Sequence, residues 1–186
     1  RVQAVLNEVA ALLSPTPLAD APVLAVSAHT GQGMQALRQH LQQAARAHTL
    51  QRPLEAAFRM AIDRAFTLDG VGTVATGTVH AGTVNVGDEL SLLPGDLRVR
   101  VRSLHAQNRV VQQAGAGQRC AVAMAGVDKQ QVDRGQWLVT PAVATVTGRV
   151  DVVLTLWHGE ARPLRSGTSV HVHLGSATKM ASVAVL

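Results

Sequence analysis

Tyrosine is absent from this 186-residue chain, and Phe58, Phe66, Trp137 and Trp157 are its whole aromatic complement. That scarcity argues against a surface that captures single-stranded nucleic acid by stacking its bases on aromatic rings. Lysine occurs only at 129 and 179, so the net charge of +5 rests almost wholly on arginine. Cys120 is the one cysteine. It excludes an intramolecular disulfide and fits a cytoplasmic protein. No run of about 18 apolar residues exists, so no helix is expected to span a membrane. Arg1-Val2-Gln3 offers neither an initiating Met nor a signal-peptide layout, and the chain is expected to be a piece of something longer.

Hydrophobic residues make up 47% of the chain and charged residues 16%, a balance that predicts a buried core. With so few aromatics, Val, Leu and Ala must fill that core, and β-branched Val favours strands. The basic excess suits contact with RNA and equally serves solubility. If RNA binds, the protein should read its backbone and shape.

Three textures follow one another. Val2, Val5, Leu6, Val9, Leu12 and Leu13 recur at helical spacing, and Ser14-Pro15-Thr16-Pro17 ends that helix. Pro22 to Val26 reads as a short buried parallel strand leading into Ser27-Ala28-His29-Thr30-Gly31-Gln32-Gly33. A second helix carries Met34, Leu37 and Leu41 on one stripe. After a polar connector, His48 to Pro53, Val-rich runs alternate with turn signals from Phe58 to about Thr140, the pattern of a small β-barrel. Beyond Pro141, strands are expected at 150–156, 169–174 and 181–186. Three strands cannot close a barrel. The expected organisation is an α/β segment at 1–46, a closed barrel at 53–141 and an incomplete second barrel at 144–186.

The motif Gly70-Val71-Gly72-Thr73-Val74-Ala75-Thr76-Gly77, followed by Gly82-Thr83-Val84-Asn85-Val86-Gly87-Asp88, resembles the second domain of translational GTPases of the elongation factor Tu family. The resemblance runs on through Ala116-Gly117-Gln118-Arg119 and Val132 to Val139. Ser27-Ala28 with Gly31 and Gly33 is similar to the fifth guanine-nucleotide motif of those proteins, where main-chain N–H groups at a strand-to-helix turn meet the base. Asp63-Arg64-Ala65-Phe66, Arg102 to Asn108 and Gly117-Gln118-Arg119 resemble the selenocysteine-specific elongation factors, called SelB. Elongation factor Tu has an acidic residue and Asn in the segment matching Gly117-Gln118-Arg119. The resemblance covers nearly the whole chain and is weakest after Pro141. It implies a mainly β fold: a translation-factor barrel and part of a second, preceded by the α/β end of a GTPase domain.

The same resemblance implies that Asp63, Arg64 and Arg119 bind the selenocysteinyl group, and that Ser27 and Ala28 contact guanine. A selenol is much more acidic than a thiol, whose reference pKa is about 8.5, so the aminoacyl side chain is an anion where serine is neutral. Two guanidiniums would attract it at any relevant pH, and Asp63 would hold the α-amino group or orient a neighbouring Arg. Leaving a buried charge unpaired costs on the order of 3–5 kcal/mol, enough for discrimination of about 100-fold. From the residues alone, Asp63-Arg64 reads first as a rim pair partnering itself, Arg100 or Arg102. Neighbours on a strand face opposite sides, so both can enter one pocket only at a bulge or a strand end.

Other residues carry less. His171 and His173 share a strand face, but no Cys or acidic ligand accompanies them, and no metal site is assigned. His105 reads as a barrel-rim histidine, and Cys120 as a small buried residue rather than a reactive thiolate. No catalytic constellation can be placed. The phosphate-binding Gly-x-x-x-x-Gly-Lys-[Ser/Thr] loop and the Asn-Lys-x-Asp motif are absent. The resemblance therefore implies a parent that binds GTP and Mg2+, while this chain should retain neither and should not hydrolyse GTP alone. The implied partners are selenocysteinyl-tRNA, the ribosome and, through a region outside this chain, a selenocysteine-insertion mRNA hairpin; none is a membrane. A general aminoacyl-tRNA carrier of the elongation factor Tu type is the alternative.

Overall fold

A computed structural model describes residues 1–47, 54–95 and 97–186. The connector read at His48 to Pro53 lies outside them. The chain divides into two compact units, one of Arg1–Gln51 with Thr155–Ala161 and one of Arg52–Leu154 with Arg162–Leu186.

In the first unit, α1 spans Val2–Leu13 and α2 spans Met34–Ala47. The backbone N–H of Ser14 donates to Ala10 and the Thr16 hydroxyl to Leu13, which closes α1 where the prolines begin. The segment Pro22 to Val26 corrects the expected buried strand. It pairs with no strand among the described residues, and Val23 and Val26 are 40% and 47% exposed. Its residues suit a strand, but a ladder also needs a neighbouring backbone.

The second unit begins with the strands β1 Arg59–Leu68, β2 Gly72–Ala81, β3 Thr83–Asn85, β4 Glu89–Leu93, β5 Leu97–Ala106, β6 Arg109–Val111, β7 Gln113–Gly115, β8 Arg119–Ala125 and β9 Trp137–Val139. Their ladders run β4-β9-β1-β2-β8-β5, and β5 pairs back to β4, closing a six-stranded antiparallel barrel. β6 extends from β5, and β3 pairs β7 at one end. Alternation fills the interior: Val99, Val101, Leu104 and Ala106 of β5 are buried, while Arg98, Arg100, Arg102 and His105 face out. Met60, Ile62, Val79, Leu92, Val122 and Leu138 complete a core that is fully sealed from solvent. Removing edges by closure protects these Val-rich strands from pairing with other chains.

After the barrel, β10 Ser169–Leu174 and β11 Ala177–Ser182 form a hairpin. Two expectations shift here. The run 150–156 forms no ladder among the described residues, with Val153 99% exposed. The last strand begins at Ala177 and ends at Ser182, earlier than 181–186, because its register is set by the tight turn at Gly175-Ser176.

The β5–β6 hairpin turns on two residues in the left-handed region, Gln107 at φ 53° and Asn108 at φ 60°. Asn accepts that conformation readily, whereas Gln is strained there. Gln107→Asn is expected to raise stability by up to about 1 kcal/mol, seen as a higher denaturant midpoint at unchanged slope. A lower midpoint would show that Gln107 makes a compensating interaction.

Candidate functional site

The three residues singled out on the barrel come from two strands separated by a third. The β1–β2 register shifts twice, once between Arg59 and Met60 and again between Ile62 and Arg64, where Ile62 faces Gly77 and Arg64 faces Thr76, leaving Asp63 as the extra residue of a β-bulge. Ile62 is buried in the core before the bulge, and Ala65 packs against the core after it. The strand's phase therefore flips, and the two residues between, Asp63 and Arg64, both lie on the outer face. Gly77 makes the close crossing possible, since a Cβ there would sit 2.0 Å from the carbonyl oxygen of Ala61.

Arg119 opens β8 opposite Thr78 of β2. Its guanidinium reaches over β2 to Asp63 on β1, a span of two inter-strand gaps that suits a long side chain. Nη1 pairs with Asp63 Oδ2, Nη2 donates to Oδ1 at 2.9 Å, and Nη2 also approaches the Thr76 hydroxyl at 3.4 Å. Thr76 Oγ1 donates to Asp63 Oδ1 at 2.9 Å. The contact is a forked, two-bond clamp, the geometry in which Arg–carboxylate pairs are strongest. The hydrogen bond from Arg119 is the largest influence and holds the Asp63 carboxyl below its ordinary value; burial opposes it, and the Thr76 hydrogen bond with the charges of Arg119 and Arg64 adds to it. The same bond from Asp63 raises Arg119. Arg64 makes no ion pair among the described residues, and its charge is felt at Asp63.

These residues form an open rim: the Arg119 side chain is 56% exposed and that of Asp63 29%. A groove of about 470 Å³ lies elsewhere on the barrel, bounded by Thr67, Thr73, Arg102, Gly126, Lys129 and Gln131, and includes none of the three. Next to Arg119, Cys120 points inward with its Sγ 3.5 Å from the Met60 sulfur. Burial pushes its thiol up to about 11, so it is no thiolate at neutral pH. His171 and His173 stand 6.5 Å apart between ring centroids, and Nδ1 of His173 is engaged by Thr178 at 3.0 Å. No cluster of three metal-ligating side chains occurs among the described residues. Thr76 was not singled out from the sequence; its only signal was a hydroxyl within an apolar run.

In the first unit, Ser27 closes a tight turn. Its N–H donates to Gln32 at 2.9 Å, its carbonyl accepts from Gly31 at 2.8 Å and its hydroxyl accepts from the Thr30 N–H at 3.3 Å. The Ala28 N–H has no acceptor among the described residues. Thus Ser27 shapes the loop, and the N–H groups of His29 and Gly33 share with that of Ala28 the lack of an acceptor among the described residues.

Comparison with known proteins bears on the fold and the family. The family Elongation factor Tu domain 2 matches residues 72–139. The selenocysteine-specific elongation factor of Escherichia coli (strain K12) is 39% identical over 188 residues, covering 100% of this chain and 29% of that protein. The chain belongs to the family of selenocysteine-specific elongation factors. The crystal structure of SelB from Methanococcus maripaludis with the GTP analogue GPPNHP superposes with a TM-score of 0.81 at 27% identity, covering 97% of this chain and 40% of that one. A bacterial selenocysteine-specific elongation factor, EF-Sec, shares the fold with a TM-score of 0.82 at 24% identity, over 99% of this chain and 30% of its own. The chain thus spans under a third of the E. coli SelB relative.

The depressed Asp63 pKa gives a signed expectation. The Asp63–Arg119 contribution is fully present above the unfolded carboxyl value, about 3.9, and disappears as pH falls through the lower folded value. Asp63→Asn should therefore lower stability by at most about 1 kcal/mol near neutrality, because the pair is exposed. The difference from wild type should vanish in strong acid. Denaturant titrations of both proteins across pH 2–7 check this, and a difference that grew on acidification would refute the pairing.

Proposed function

We propose that this chain holds the selenocysteinyl end of a tRNA for a translational GTPase that carries it to the ribosome for selenocysteine incorporation. The observation behind this is the convergence of Arg119, Asp63 and Thr76 on one outer patch of the barrel, with Arg64 aligned beside it by the bulge. Two guanidiniums and one carboxylate leave a net charge of one positive, suited to neutralising one selenolate. Asp63 keeps Arg119 extended over β2, so the guanidinium is already oriented when the anion arrives. Its Oδ2, which accepts from Arg119 alone among the described residues, keeps a lone pair for an α-amino group. The 56% exposure of Arg119 means that desolvation, and with it discrimination against neutral serine, comes when the bound aminoacyl end covers the rim.

The remaining assignments extend to a larger protein. GTP with Mg2+ would supply the energy-releasing phosphoryl chemistry, and the Ala28 N–H would meet the guanine base beside Ser27. The phosphate-binding elements and the region for the selenocysteine-insertion mRNA hairpin are assigned to parts outside this chain. A cytoplasmic location follows from the translational role. Among the described residues, no helix is long and apolar enough to cross a membrane.

Arg119→Ala in a full-length factor carrying this sequence should weaken selenocysteinyl-tRNA binding by roughly 10- to 100-fold, the worth of a charge-assisted hydrogen bond. Seryl-tRNA binding should change by less than about threefold, since a neutral side chain never used that charge. Equal weakening would make Arg119 a tRNA-backbone or structural residue. The 186-residue chain by itself should show no saturable, Mg2+-dependent GTP hydrolysis; turnover would overturn the assignment of catalysis to other parts.

A further inference from the structure

The bulge that turns Asp63 outward begins at the carbonyl of Ile62, and that carbonyl has two donors. The Gly135 N–H reaches it at 2.9 Å from the loop before β9, and the Ser176 hydroxyl reaches it from the turn between β10 and β11. The Ile62 N–H in turn donates to Gln136 at 2.9 Å. The last residue before the extra one is thus fixed on both of its backbone groups. One of those holds comes from an element 114 positions away in sequence.

The turn is fitted to this notch. Gly175 adopts φ 59°, and a Cβ on it would stand 2.8 Å from the Trp137 ring and 3.0 Å from the Ala61 side chain. Trp137 is itself braced on its other neighbour, the His80 ring, with centroids 5.0 Å apart. Ser176 and Ala177 are partly covered, whereas most of the hairpin's residues are exposed. An isolated two-stranded hairpin is marginal in water. The contact at Ile62 therefore joins the hairpin to the wall of the barrel at the residue from which the bulge departs.

We propose that the β10–β11 turn is a positioning element for the aminoacyl rim: Ser176, held in place by the fit of Gly175 against Trp137, fixes the Ile62 carbonyl and through it the outward aim of Asp63 toward Arg119. Ser176 touches neither Asp63 nor Arg119 and acts through the backbone. The β10–β11 hairpin then sets the geometry of the proposed specificity site on the barrel, and a shift of the hairpin loosens the clamp. The inference rests on reading Asp63 and Arg119 as the aminoacyl site for its biological meaning. Its test is made on the carboxylate and needs no tRNA.

The experiment is a carbon-13 NMR titration of side-chain carboxyls in the 186-residue chain, wild type, Ser176→Ala, Ser176→Thr and Gly175→Val. Loss of the Ser176 hydroxyl relaxes the bulge and weakens the clamp, so Asp63 should titrate at higher pH than in wild type, toward an ordinary carboxyl. Ser176→Thr keeps the hydroxyl and should restore the wild-type titration. Gly175→Val, which drives the turn off Trp137, should raise Asp63 as the Ala variant does. Asp88, whose carboxylate accepts from the Asn85 N–H at 2.8 Å on another part of the barrel, should not move in any variant. A merely destabilising substitution would not select Asp63 over Asp88. An unchanged Asp63 titration in Ser176→Ala, or equal shifts in the Ala and Thr variants, overturns the proposal. Should the carboxylate respond as expected while Arg119→Ala fails to separate the two aminoacyl-tRNAs, the positioning stands and the ligand assignment falls.

Discussion

A single inserted residue on β1 decides what the outer rim of the barrel can do. Without the bulge, strict alternation would place Asp63 outward and Arg64 in the core, where an unpaired guanidinium is prohibitive. With it, Ile62 and Ala65 both face inward, and two charged residues between them share the solvent side. Three features of the sequence comply with that one constraint. Gly77 clears the Ala61 carbonyl, Thr76 satisfies the Asp63 carboxylate, and Arg119 has the length to cross β2. The bulge is also held from outside, since the Ile62 carbonyl accepts from the Gly135 N–H and the Ser176 hydroxyl.

The barrel was legible because its evidence is local. Alternation in β5, turn glycines between the runs and the helical stripes of α1 and α2 each depend on residues a few positions apart. The bulge at Asp63 was legible only as a condition: the dipeptide could serve one pocket at a bulge or a strand end, and the spacing of the residues decided neither. What failed were the strands read at Pro22 to Val26 and at 150–156. Their composition is that of strands, but pairing is a property of two segments, and a run of Val cannot report whether a neighbour is present. Thr76 and Ser176 carry no local signal for a related reason. Each is an ordinary hydroxyl whose role exists only after long-range pairing brings it to Asp63 or to Ile62.

The electrostatics separate two neighbours that look alike in sequence. Arg119 and Cys120 are adjacent on β8, yet one faces solvent and the other the core. Burial raises the Cys120 thiol to about 11, outweighing the lowering effect of the guanidinium next door. On the outer face the same guanidinium depresses Asp63 through a direct forked contact. Sidedness, set by the period of two, outweighs proximity along the chain. For that reason the rim can concentrate charge without disturbing the apolar interior a few ångströms away.

A carboxylate clamped to an arginine looks at first like the wrong preparation for an anion site, because the positive charge is already spoken for. The geometry resolves this. A carboxylate accepting two parallel N–H bonds uses one edge of the guanidinium, and Arg has five donors, so the others remain for a ligand. The clamp removes the conformational freedom of a long side chain before binding, a cost that would otherwise fall on the complex. Arg64, which has no ion pair among the described residues, supplies the uncompensated charge. The two arginines therefore play different parts. Arg119 is fixed in direction and nearly neutralised, whereas Arg64 is unpaired and sets the sign of the site. Under the proposed aminoacyl role, an anionic side chain would gain from both, and a neutral one of similar size would gain from neither.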